Sequence, residues 1–212
     1  MTAAVDASRA RWTWEPAVIF FSALYMAIYA WPASIQPAAW VWGSHGDGLG
    51  NIVEFSWFVQ ALQQGRPWSV DPNLAIPFGE NLGSLPHEPI YFWTQIAIGL
   101  VAGSVVALNL ISMIAVPAAA WAMYRLVLWI TRSPVAGFVS GIGFGCSSYV
   151  LINTRGEPTL AQVWIFPVVV LALLKMARRP SLWSAALVAI SVTVAALVNF
   201  YYVLFIALAW WH

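Results

Sequence analysis

The acidic residues and histidines of this chain are bunched. Of its eight Asp and Glu and three His, seven fall in one Gly-, Pro- and Asn-rich stretch near the start: His45, Asp47, Glu54, Asp71, Glu80, His87 and Glu88. Asp47 sits within Gly46-Asp47-Gly48-Leu49-Gly50. Glycines on both sides let a backbone approach a ligand closely. A carboxylate at the edge of a low-dielectric region can serve as a general base or bind a cation. The same acid also suits the N-cap of a following helix. Asp71 and Glu80 lie in turn sequences that favour acids for local hydrogen bonding, as members of a solvated loop. His87-Glu88-Pro89 either presents polar groups where an apolar segment begins or is a turn before a helix with Pro near its first position. A second polar group, Asn153-Thr154-Arg155-Gly156-Glu157-Pro158, stands alone between apolar runs. Arg155 and Glu157 either pair with each other or form the wall of a site facing Asp47, where Arg is suited to gripping a phosphate.

What must position these residues is almost entirely apolar. Hydrophobic residues make up 61% of the 212 and charged residues 8%, with a mean hydropathy of +0.77. A soluble domain carries roughly a quarter charged residues. A compact water-soluble chain could not cover this much apolar surface, so the bilayer is expected to be the solvent. Fourteen Trp and seven Tyr suit the headgroup level. A net charge of +1 gives no reason to expect a nucleic-acid partner, and the lone Cys146 excludes an internal disulfide or a cysteine-paired metal site. Cys146 itself reads as helix packing.

The expected fold is all-α: a polytopic transmembrane helix bundle with a long outer first loop that contains interfacial helices. Residues 1–16 form a cytoplasmic N-terminal segment and 17–212 a transmembrane module. A first span over Ala17–Trp40 ends or kinks at Pro32 and Pro37; its length and the lack of a cleavage site distinguish it from a secretory signal. The first outer loop covers about 41–104. Within it Ile52–Leu62 is a short amphipathic helix with Ile52, Phe55, Val59 and Leu62 on one face, too short to span. Ala102-Gly103-Ser104 divides the next apolar stretch. Charge asymmetry makes Ile90–Val101 an interfacial or re-entrant helix and Val105–Ile130 a span, because Arg125 and Arg132 must return to the side of Arg9 and Arg11. Pro134–Ile152, Thr159–Met176 and Leu182–Val198 follow as spans, with an outer turn at 153–158 and Lys175, Arg178 and Arg179 inside. That makes about five complete crossings with the N-terminus cytoplasmic, and Arg66 and Arg155 as isolated outer cations. Gly137, Gly141 and Gly145 give one span a face for close helix packing. Gly141-Ile142-Gly143 is not a dinucleotide fingerprint, since no strand precedes it. The sequence stops inside the apolar run Phe205–Trp211, and a further C-terminal part is expected.

The layout resembles the GT-C type of polytopic glycosyltransferase, which uses a lipid-phosphate-linked sugar, and is similar to protein O-mannosyltransferases and bacterial aminoarabinose transferases. The likeness lies in a first span followed by a long outer loop opening at Gly46-Asp47-Gly48, then an interfacial helix. Leu85-Pro86-His87-Glu88-Pro89-Ile90-Tyr91-Phe92-Trp93 leads into an aromatic amphipathic segment. A span ending at Tyr124-Arg125 and Arg132, a span ending at Ser147-Ser148-Tyr149, and an outer turn with a second acid, Glu157, complete it. The resemblance covers almost the whole chain as the N-terminal module of a longer enzyme. Two departures stand out: Glu157 lacks the acidic neighbour that such enzymes often place beside it, and Glu88 separates His87 from Pro89. The resemblance implies Asp47 as the catalytic base with Glu157 assisting, and His45, Glu54, His87, Glu88 and Arg155 as substrate-binding residues. It leaves room for a divalent cation, Mg2+ or Mn2+, held by Asp47 and Glu157. It implies a lipid-linked sugar donor and membrane lipids as partners, and the plasma (inner) membrane as location. The competing readings are a transporter or lipid flippase fragment, which would place ionisable groups along the spans, and a non-catalytic membrane protein. The span interiors are almost free of charge, which favours chemistry at the interface.

Overall fold

The computed structural model describes residues 14–43, 47–82 and 88–211, and the side chains of 47–49 and 209–211 lie outside that description. Helices dominate: α1 (Trp14–Tyr29), α2 (Asp47–Gln63), α3 (Pro89–Ala102), α4 (Ser104–Thr131), α5 (Pro134–Gly145), α6 (Ser148–Gly156), α7 (Ile165–Arg178), α8 (Leu182–Val198) and α9 (Tyr201–Trp211). Two strands that periodicity did not foretell, β1 (Val70–Asp71) and β2 (Glu80–Asn81), pair antiparallel with Val70 opposite Asn81 and Asp71 opposite Glu80. The all-α expectation holds for everything else.

Among the described residues, two helical runs are long and apolar enough to cross a membrane: α4 with 28 residues, and Pro134–Gly156, which is α5 and α6 in sequence. α1, α3 and α8 are apolar but shorter.

Several boundaries differ from those read in the sequence, and prolines explain two of them. α1 starts at Trp14, inside the segment assigned to the N-terminal arm, and stops at Tyr29 instead of continuing to Trp40. Pro32 has no N–H to give and pushes Trp31 out of helical conformation, so the chain goes on through turns. α7 begins at Ile165, six residues after the expected Thr159, which leaves Pro167 in the first turn, where its missing N–H costs nothing. Residues 153–156, read as a turn, are the last turn of α6. The helix read at Ile52–Leu62 reaches back to Asp47.

α4 is the common packing partner, meeting α1, α2, α3, α5, α6 and α7. Gly103 separates it from α3 at φ 92, in the region that favours glycine. At its other end Arg132 turns left-handed (φ 61), and Ser133 caps α5 by accepting from Ala136 N–H at 3.2 Å. The glycine face of α5 lies against α4. A Cβ at Gly141 would stand 2.6 Å from the Ala120 carbonyl oxygen, and one at Gly145 would stand 2.7 Å from the Val116 carbonyl oxygen. Close approach therefore depends on these glycines. Cys146, partly buried, packs beside the core of Met26, Trp42, Val116 and Val163.

A second, aromatic core fixes the first loop. Phe55 and Phe58 of α2 meet Phe92 of α3 with ring centroids 5.5 and 5.0 Å apart, and Leu82 after β2 closes the cluster. Phe55 and Val59 are buried as their spacing suggested, whereas Leu62 is 40% exposed because the buried face runs through Phe58 and Ala61 instead. Most of 62–81 is exposed, Glu80 included, as its composition implied; Asp71 is the exception. Asp71 is 2% exposed, its Oδ1 accepting from the backbone N–H and side-chain amide of Asn73 at 2.8 and 2.9 Å. The local hydrogen bonding expected of this acid is present, and the solvation is not.

Candidate functional site

The segment between α1 and α2 is tied down by one amide. Asn109, fully buried in α4, accepts from Trp42 N–H at 2.7 Å and donates to the carbonyls of Pro37 and Trp40 at 2.8 and 2.6 Å. Trp42 then donates through Nε1 to Thr154 Oγ1 at 3.2 Å and offers its ring face to Arg155, whose guanidinium carbon stands 5.3 Å from the centroid. Next to it Gly43, at φ 116, lies against the Arg155 backbone. Asp47 follows by four residues, a reach of at most about 14 Å, and α2 itself packs on α6. The opening of the first loop and the tail of α6 are therefore neighbours. Asp47 is the first residue of α2; its side chain, with His45 and His87, lies outside the described residues.

Pro89 occupies the first turn of α3 and Glu88 is its N-cap, with no side-chain capping bond, so the turn-before-a-helix geometry is the one adopted. This launches Tyr91 inward. Tyr91 is 5% exposed, and among the described residues its hydroxyl has no hydrogen-bond partner. Burial, and then the carboxylates of Glu157, Glu88 and Glu54, push its phenol well above the ordinary tyrosine range. Three acids from α2, the head of α3 and the tail of α6 thus act on one buried hydroxyl. Four residues further on, Gln95 is fully buried with neither amide atom hydrogen-bonded among the described residues.

Glu157 is the C-cap of α6, and its Oε1 accepts from Thr159 Oγ1 at 3.0 Å. Thr159 is in turn held by Asn199 Nδ2, donating to its hydroxyl at 3.0 Å, and by the Tyr202 hydroxyl, donating to its carbonyl at 3.1 Å. The carboxylate is thereby anchored to the α8–α9 junction. Arg155 has a buried Nε with no hydrogen-bond partner among the described residues, a donor in want of an acceptor.

Tyr91 also lines an apolar cavity of about 270 Å³ with Ile111, Ile114, Gln162, Trp164 and Val198. A second, about 490 Å³, shares Thr94, Ile111 and Ile114 with it and runs on toward Met26 and Pro117. Among the described residues no three His, Cys, Asp or Glu side chains come together to hold a metal ion, so Glu54, Glu88 and Glu157 do not form a cation site by themselves.

Tyr91 can offer its buried hydroxyl to an oxygen-rich group beside an apolar cavity, and Arg155, on the face of Trp42, has an Nε that can donate to an anion. Of the residues singled out in the sequence, Glu54, Glu88 and Glu157 lie near enough to Tyr91 for their charge to raise its phenol, and Arg155 packs on Trp42 and Gly43 at the start of the first loop. Tyr91 belongs to the aromatic segment named in the sequence, whereas Trp42, Asn109 and Gln95 were not among the expected site residues. The legible signal was an uncharged polar residue inside an apolar run, which a search for charges alone does not catch. No family model, curated protein or solved structure matches the chain.

Proposed function

We propose that this chain handles the donor in a membrane glycosyltransferase that passes a sugar from a polyprenyl phosphate to an acceptor at the outer face of the plasma membrane. In this reading α1, α4, the α5–α6 run, α7 and α8 cross the bilayer with the N-terminus inside, and α2 and α3 lie at the outer interface. The observation that carries it is the buried Tyr91, which lines an apolar cavity with a hydroxyl that has no hydrogen-bond partner among the described residues, together with Arg155 on the face of Trp42, its Nε equally unmatched. The exposed Phe20, Phe21 and Ile28 of α1 and Leu182 and Trp183 of α8 support a lipid surround.

The chemistry follows from those positions. Asp47 takes the proton of the acceptor hydroxyl, whose oxygen bonds to the anomeric carbon. The bond from that carbon to the phosphate oxygen breaks, the electron pair leaves with the polyprenyl phosphate, and the configuration inverts. Arg155 meets the charge gained by the leaving phosphate. Tyr91, kept neutral, donates to an oxygen of the sugar or phosphate, and the cavities beside it take the first units of the polyprenyl chain. Glu157 orients the acceptor alongside Asp47.

Sugar transfer from a labelled polyprenyl-phosphate donor, measured in membranes holding the wild type and Asp47→Asn, tests this. The expected result is a loss of about 10²–10⁴ in rate with insertion intact, the range for a general base. Full activity in Asp47→Asn removes the base. Translocation of a lipid-linked sugar is the second reading, and the buried Gln95 and Ser112, without hydrogen bonds among the described residues, are what it would use. Flux in proteoliposomes with no transfer would favour it.

A further inference from the structure

The opposite end of α4 carries a different cluster. Arg125 lies about 24 Å along the helix from Asn109, at 1.5 Å per residue. There Arg125, Arg132, Lys175, Glu15, Trp129 and Leu128 line a cavity of about 190 Å³. Arg125 Nη1 is fixed by Glu15 Oε1 at 2.8 Å. Arg132 and Lys175 have no carboxylate within ion-pair reach among the described residues. Arg178 stacks on the outer wall, its guanidinium carbon 3.9 Å from the Trp129 ring centroid.

Helix C-termini attract cations, which accounts for Arg132 near the end of α4 and for Lys175 and Arg178 in the last turn of α7. It does not account for Arg132 and Lys175 meeting Arg125 in one cavity. With Arg125 paired to Glu15, the exposed Arg132 and Lys175 bring two further positive charges from two helices to one cavity, where an anion between them relieves their mutual repulsion. Arg125 stands well inside α4, away from its end, and the Glu15 contact holds it toward the cavity. The volume falls below the roughly 300 Å³ at which sites for drug-sized ligands begin, so a small anionic head fits where a whole lipid does not. Leu128 and Trp129 supply an apolar flank for whatever is attached to it.

We infer that this pocket binds a phosphate group, and specifically the phosphodiester head of an anionic membrane lipid. Arg132 and Lys175 contact its oxygens, and Arg125 is oriented by Glu15. The site is separate from the one at Tyr91 and does not rest on the transferase reading.

The test uses the full chain purified in detergent, with native mass spectrometry and thermal unfolding as readouts. Three probes are added separately: phosphatidylglycerol, phosphatidylcholine and sodium phosphate. Wild type is expected to retain phosphatidylglycerol over phosphatidylcholine and to gain thermal stability from it. Arg132→Gln and Lys175→Gln should each weaken that retention about tenfold, the value of one charge-assisted hydrogen bond. Arg66→Gln, the same charge change in the first loop, should leave it unaltered. Protection by sodium phosphate equal to that by phosphatidylglycerol would keep the phosphate site and make a soluble phosphate its occupant. Equal retention of the two lipids by wild type, with no effect of phosphate, overturns the proposal even if the variants fail to fold. So does equal loss in Arg66→Gln.

Discussion

Gly43 and the carbonyl of Arg155 touch so closely that no Cβ fits between them, and Gly43 holds φ 116 there. This contact joins the start of the first loop to the tail of α6. Gly43→Ala therefore meets both a backbone conformation that L-residues avoid and a collision with main chain, for about 1–3 kcal/mol or more. Gly65→Ala, at φ 63 with open space around it, should cost only about 1 kcal/mol. Thermal unfolding of the two variants in detergent separates them. If the proposed site is correct, only Gly43→Ala also lowers sugar transfer.

Within α5, two glycines two residues apart should behave oppositely. Gly141→Ala drives a methyl into the Ala120 carbonyl, whereas Gly143 has nothing within 4 Å. Overpacking at Gly141 should destabilise by about 1–3 kcal/mol. Gly143→Ala should be neutral or stabilising by up to about 1 kcal/mol, since it removes unfolded-chain freedom from a helical position. Equal effects would mean that α5 does not face α4 as described.

Tyr91→Phe removes a buried hydroxyl that lacks a partner among the described residues. In the absence of substrate the variant should be as stable as wild type or more so, by about 1 kcal/mol. The pH dependence has a definite sign. The folded phenol is raised above its unfolded value near 10, so it stays protonated in the fold while the unfolded chain ionises. Its contribution is complete below pH about 10 and declines above it. Wild type should lose stability there faster than Tyr91→Phe, in melts from pH 8 to 11. Parallel curves would show that the phenol titrates normally.

Asn109→Leu strips one acceptor and two donors from the 37–42 segment. Leaving those buried groups unmatched should cost about 2 kcal/mol or more. The loosened segment should exchange its Trp42 amide hydrogen with solvent faster than wild type, which hydrogen exchange by mass spectrometry reads directly.

Much of the fold was legible because its signals are local. Leu182–Val198 was read to the residue, framed by Ser181 before it and Asn199 after it. The break at Gly103 and the packing face at Gly137, Gly141 and Gly145 follow from the lack of a side chain. Helix ends near proline were harder, because Pro32 and Pro167 set them by hydrogen-bond loss rather than by hydropathy. The short hairpin at Val70 and Glu80 leaves no periodicity to detect. In the site, Glu54, Glu88 and Glu157 stand out by charge, but nothing in Tyr91-Phe92-Trp93 says that the first two rings are buried and the third exposed. That depends on the rotation of α3 against Phe55 and Phe58, a tertiary matter.

The two polar anchor points on α4 have a mechanical consequence. Asn109 is bound to the 37–42 segment, several turns beyond the end of α1, and Arg125 to Glu15 at the head of α1, so both ends of the stretch from Glu15 to Trp42 are tied to α4. Sliding α1 along α4 would have to break the ion pair at one end or drag the hydrogen-bonded 37–42 segment at the other.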